Sequence, residues 1–85
     1  ASEVSIYPNP AKDNFTLELT SSQAGEMSMT IYNLNGSLIR TKNIKLTQGN
    51  NSINEDVSSL ASGIYFVQVY SSSNGETIVK KLVKD

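Results

Sequence analysis

The sequence predicts an all-β fold, an antiparallel β-sandwich of about seven strands, from three observations. Glycines at 25, 36, 49, 63 and 75 punctuate the chain at the spacing of short strands joined by turns. Apolar, β-prone runs fill most of the intervals, and the clearest of them alternates strictly between apolar and polar residues. Helical periodicity extends over no useful length.

The strands are expected at roughly 3–7, 14–20, 26–33, 37–46, 51–57, 64–71 and 76–84. The first ends at "YPNP", because Pro8 and Pro10 lack backbone donors and Pro10 pushes Asn9 out of the helical region. Residues 8–13 therefore cross between strands, and the second strand starts in its own register. In "NFTLELT", Phe15, Leu17 and Leu19 point one way while Asn14, Thr16, Glu18 and Thr20 point the other, so one face is buried and one is wet.

The third and fourth strands form a hairpin around "MSMTIYNLNGSLIRTK". A two-residue Asn35-Gly36 turn would set Ile31 against Arg40. A three-residue Leu34-Asn35-Gly36 loop instead sets Ile31 against Ile39, Tyr32 against Leu38, Thr30 against Arg40 and Ser28 against Lys42. Matching apolar with apolar favours the second, with Gly36 left-handed in a G1 bulge.

"DVSSLASGIYFV" reads as the crossover between two sheets: Val57 and Leu60 tuck under a short turn, Gly63 supplies a permissive backbone, and Tyr65 opens the next strand. A tyrosine at this point resembles the tyrosine corner of immunoglobulin-like sandwiches, whose hydroxyl bonds to the upstream backbone. The fold class is accordingly an immunoglobulin-like antiparallel β-sandwich. "GIYFVQVY" is apolar at nearly every position, as expected of a strand in the middle of a sheet.

Composition narrows the function. The chain has 85 residues, a net charge of −1, and no cysteine, histidine or tryptophan. Its charge supplies no general field for nucleic acid. There is no disulfide framework, thiolate nucleophile or sulfur-ligated metal, and the commonest general base and zinc ligand are missing. No apolar run approaches a membrane span, and no leader pattern opens the chain. Beginning "ASEVSIY", the chain is read as a piece of a longer protein, with residues 1–3 a linker remnant and residues 4–85 one domain.

The carboxylates Asp13, Glu18, Glu26 and Glu76 fall at turns or on wet strand faces, whereas a glycosidase needs two converging in a cleft. The adjacent Glu55 and Asp56 lack the alternating ligands of a dedicated calcium loop. The triplets "NFT", "NGS" and "NNS" are read as products of an Asn-, Ser- and Thr-rich composition. Tyr7, Tyr32 and Tyr70 remain as surface rings for an alternative reading as an appended adhesion or carbohydrate-binding module. No catalytic residue, cofactor, metal or small-molecule substrate is expected. In "ETIVKKLVKD", Lys80, Lys81 and Lys84 lie among Ile78, Val79, Leu82 and Val83, a pattern that either protects a sheet edge or presents a recognition strand.

"IYPNP", "FTLEL", "IYNLNG", "LASGIYFVQVY" and "KKLVK" occur in one order. Together they resemble the type A C-terminal sorting domain of the type IX secretion system of Bacteroidota, over essentially residues 4–84. The resemblance implies an address rather than chemistry. Such a domain follows a passenger protein through the periplasm, is recognised by the outer-membrane translocon, shuttle and sortase proteins, and is typically cut off as the passenger reaches the cell surface or the medium. The family's end motif maps to Lys80, Lys81, Leu82, Val83 and Lys84, and its glycine-aromatic signature to Gly63 and Tyr65. Pro8, Asn9, Pro10 and Gly36 carry the remaining structural motifs. Asp85 departs from the basic or neutral end that the resemblance leads one to expect.

Overall fold

The computed structural model of the chain describes residues 4–71 and 75–85. Residues 1–3, expected as a linker remnant, lie outside the described residues. The strands are β1 (Val4–Tyr7), β2 (Asn14–Ser21), β3 (Gly25–Asn33), β4 (Leu38–Leu46), β5 (Gly49–Asp56), β6 (Gly63–Ser71) and β7 (Thr77–Lys84). Each lies within about two residues of its expected bounds. They build a three-stranded sheet in the order β1-β2-β5 and a four-stranded sheet in the order β4-β3-β6-β7. All neighbouring strands are antiparallel, as the sandwich reading requires.

Alternation determines the core. Phe15 and Leu17 of β2, Met29 and Ile31 of β3, Val67 of β6 and Leu82 of β7 are fully buried where the inner faces meet. β6 lies between β3 and β7, which accounts for its nearly continuous apolar run.

The β5–β6 crossover follows the sequence reading. Val57 is fully buried, its N–H donates to the Asp13 carbonyl (2.8 Å), and the Leu60 N–H donates to the Val57 carbonyl (3.0 Å). Gly63 has a φ of +151°, and the Tyr65 hydroxyl donates to the Ala61 carbonyl at 2.7 Å, making a tyrosine corner.

Asp56 starts this crossover, its carboxylate accepting the Ser58 N–H at 2.8 Å. Hydrogen bonding from the Ser58 hydroxyl, and then from its N–H, holds the Asp56 carboxyl below its ordinary value of 3.8. A depressed carboxylate pKa contributes stability that is complete above the unfolded-state value and is lost as pH falls through the folded-state value. Asp56→Ala is therefore expected to be less stable than the parent at pH 6, with the gap in denaturant midpoint closing below about pH 3.8. A gap that persists unchanged at pH 2 would contradict this.

The β3–β4 hairpin keeps one half of its expected geometry and corrects the other. Its loop is Leu34-Asn35-Gly36, with Gly36 at φ +84°, its N–H on the Asn33 carbonyl (3.0 Å), and Tyr32 opposite Leu38. The Asn33 side chain closes the loop by accepting the N–H groups of Asn35 and Ser37. Beyond Tyr32 the register slips by one residue: Ile31 faces Arg40, Thr30 faces Thr41 and Ser28 faces Asn43. The expected pairings of Ile31 with Ile39, Thr30 with Arg40 and Ser28 with Lys42 do not form.

The reason lies further along β4. Without the bulge at Ile39, Thr41, Asn43 and Lys45 would share the inner face with Met29, Met27 and Gly25. With it, Ile44 and Leu46 oppose Met27 and Gly25 and join the core. Two core positions outweigh one apolar pair beside the turn.

The slip also turns Arg40 and Lys42 toward the other sheet. Arg40 Nη1 lies 2.7 Å from Glu55 Oε2 and also donates to the Asp56 carbonyl, while Lys42 Nζ lies 3.4 Å from Glu55 Oε1. This cluster seals the side of the sandwich between edge strands β4 and β5, and the buried Glu55 carboxylate is neutralised there.

Candidate functional site

The two terminal motifs of the chain meet. After β1 residues 8–13 leave the three-stranded sheet, and within them Asn9 and Ala11 lie along the outer edge of β7. The peptide bonds preceding Pro8 and Pro10 are both cis. Ala11, fully buried, forms a parallel bridge to Lys84: its N–H donates to the Val83 carbonyl (2.8 Å) and its carbonyl accepts the Asp85 N–H (2.7 Å).

Asn9 continues this pairing with its side chain. Its Nδ2 donates to the Lys81 carbonyl at 2.9 Å and its Oδ1 accepts the Val83 N–H at 2.9 Å. The flanking prolines have no N–H to offer, so a primary amide, donor and acceptor in one plane, takes the place of a peptide unit. The motif "PNPA" is thus a strand-like strap on the terminal strand. Sequence reasoning identified Asn9 but missed this bond; the only signal was an amide flanked by residues without donors.

Asn9→Ala is expected to lower stability by about 1–3 kcal/mol, two hydrogen bonds at roughly 1 kcal/mol each plus the bare edge groups. Amide hydrogen exchange at Val83 should accelerate while that at Val67, in the sheet interior, follows only the global change. Unchanged protection at Val83 would contradict the bonding pattern.

The terminal motif divides into buried and solvated positions. Leu82 is fully buried, and Lys84 is buried opposite Gly63 with its Nζ on the Asp85 carbonyl (3.2 Å). Val83 is half-buried, whereas Lys80 and Lys81 are exposed. Of the five positions, only Lys80 and Lys81 therefore offer a charged group to solvent. Among the described residues neither forms an ion pair.

Among the described residues the groups that other chemistry would need are not brought together. Among the described residues no group of three or more acidic side chains is placed to hold a metal ion. Glu55 turns inward to Arg40 and Lys42, and Asp56 caps Ser58, so the two adjacent carboxylates diverge. The three candidate surface rings are also divided. Tyr7 pairs with Thr16 on the three-stranded sheet, and its hydroxyl donates to Glu18 (3.2 Å), while Tyr32 and Tyr70 belong to the four-stranded one. No single face carries all three.

A family model described as the secretion system C-terminal sorting domain matches residues 5–85. No curated protein matches the chain significantly.

Proposed function

Since the chain belongs to the family of secretion system C-terminal sorting domains and is a sorting signal for type IX secretion, we propose that it acts on a passenger fused ahead of it, by binding alone. Translocon, shuttle and sortase components of the outer membrane recognise β7 through Lys80 and Lys81. The passenger crosses from the periplasm to the cell surface or medium, and the sorting domain is then cut off in the segment preceding Val4. The match over residues 5–85 carries this reading. The pair of unpaired, exposed lysines on an edge strand supports the choice of residues.

The experiment is surface display of a fluorescent passenger fused ahead of residues 1–85 in a type IX-competent bacterium. Deleting residues 80–85 would remove buried Leu82 and the strap's partners, and so would confound recognition with folding. Lys80→Glu/Lys81→Glu avoids this, because both side chains are solvated. The parent fusion is expected at the surface and the double variant, still folded, in the periplasm. Display of the double variant at the parent level would rule out the lysines, and a parent fusion that never leaves the periplasm would end the sorting reading.

A further inference from the structure

The strap leaves the N-terminal part of the β7 edge open. Asn9 and Ala11 take the Lys81 carbonyl, both groups of Val83 and the Asp85 N–H, which turn away from β6. Strand alternation turns both backbone groups of Thr77 and Val79 and the N–H of Lys81 the same way. Among the described residues nothing pairs with them, and Val79 is exposed.

Backbone groups alone would admit many partners; the side chains of this edge select one. When two β7 strands pair antiparallel about a two-fold axis, outward groups meet outward groups only if the axis passes through a residue. With the axis at Ile78, Thr77 and Val79 exchange backbone hydrogen bonds in both directions, Ile78 lies against Ile78, and Glu76 lies against Lys80 on each side of the axis. Moving the axis to Thr77 sets Ile78 against Glu76. Moving it to Val79 sets Ile78 against Lys80 and also requires the Lys81 carbonyl, which Asn9 holds. An axis at Lys80 opposes like charges.

The inner face beside the axis suits the same register. Glu76 and Ile78 line a cavity of about 140 Å³ between the two sheets, together with Ser21, Gln23 and Ser71. A side chain set against Glu76 from an added strand therefore meets a carboxylate and hydroxyls, surroundings that suit an ammonium group. We propose that the domain pairs with a second copy of itself, edge to edge along Thr77–Lys81 with the two-fold axis at Ile78, so that the two four-stranded sheets become one continuous sheet. On the outer face Val79 of each copy lies against Thr77 of the other and is covered. The pair engages Lys80, so self-pairing and recognition by the export machinery exclude each other; that consequence rests on the sorting reading, and the pairing itself does not.

The overlap is short, so the dissociation constant is expected on the order of 0.1–1 mM, in the range of weak interfaces. The test is sedimentation equilibrium of the 85-residue chain across that range, with amide shifts followed by NMR along the same dilution series. A monomer–dimer equilibrium is expected, with shifts at Thr77, Val79 and Lys81. Lys80→Glu alone and Glu76→Lys alone should each weaken it by about tenfold or more, because each sets like charges across the axis. Mixing these two variants should restore pairing, since every altered residue then meets its opposite, and Glu76→Lys/Lys80→Glu in one chain should dimerise like the parent. Val79→Pro removes an outward N–H without touching the β6–β7 ladder, and should hold the chain monomeric while it stays folded.

A chain that stays monomeric throughout, association undisturbed by Lys80→Glu, shifts confined to the β4 or β5 edge, or no recovery in the mixture would each overturn the proposal. Neither measurement involves export. A chain that is displayed but stays monomeric keeps the sorting reading and loses the pairing; one that dimerises but is not displayed does the reverse.

Discussion

Leu82→Ala is expected to lower the unfolding free energy by about 2–5 kcal/mol, the cost of deleting a buried leucine side chain and leaving part of its volume empty. Small domains of this length typically have on the order of 4–13 kcal/mol in total, so the variant should show a clearly lower urea midpoint and a partly unfolded population at growth temperature. Leu82 is fully buried opposite Tyr65, in the middle of a motif whose neighbouring lysines are solvated. The expected contrast separates folding from recognition. Lys80→Glu/Lys81→Glu should stay within about 0.5 kcal/mol of the parent per site, as exposed substitutions do. Both variants should fail in display, but only the leucine variant should fail in the urea titration. Equal midpoints for Leu82→Ala and the parent would show that β7 does not pack as described.

Arg40→Ala is expected to cost about 3 kcal/mol, because it leaves the buried Glu55 carboxylate with only the more distant Lys42. Arg40 Nη1 is 2.7 Å from Glu55 Oε2, against 3.4 Å for Lys42 Nζ to Oε1, and the Glu55 side chain retains 7% of its surface exposure. Removing both charges should be milder than removing one. Arg40→Leu/Glu55→Leu replaces a desolvated ion pair with apolar contact, and is expected to recover at least half of the loss in a double-mutant comparison of urea midpoints. A loss below about 1 kcal/mol for Arg40→Ala would place the cluster with ordinary surface ion pairs, which contribute little.

The sequence by itself determined the seven strands, the buried face of β2, the central place of β6 in its sheet, the three-residue hairpin loop and the β5–β6 corner. Each of these is encoded locally: alternation at a period of two, a glycine where a left-handed residue is needed, a tyrosine four residues after the carbonyl it bonds. The sorting signature was equally legible, since its motifs are short and their order is linear.

Tertiary structure decided the features that join segments remote in the chain. The register of β4 depended on core positions at Ile44 and Leu46 and on a carboxylate at Glu55 in the opposite sheet, none of which the turn could specify. The strap depended on Asn9 reaching carbonyl and amide groups 72 and 74 residues away. The division of the terminal lysines into two exposed and one buried depended on what covers each position, since Lys80 and Lys84 share a face of β7 and only Lys84, opposite Gly63, is buried. A one-residue shift inverts every side chain of a strand, so where apolar and charged residues are interspersed, as in β4 and β7, only the packed partner selects the face.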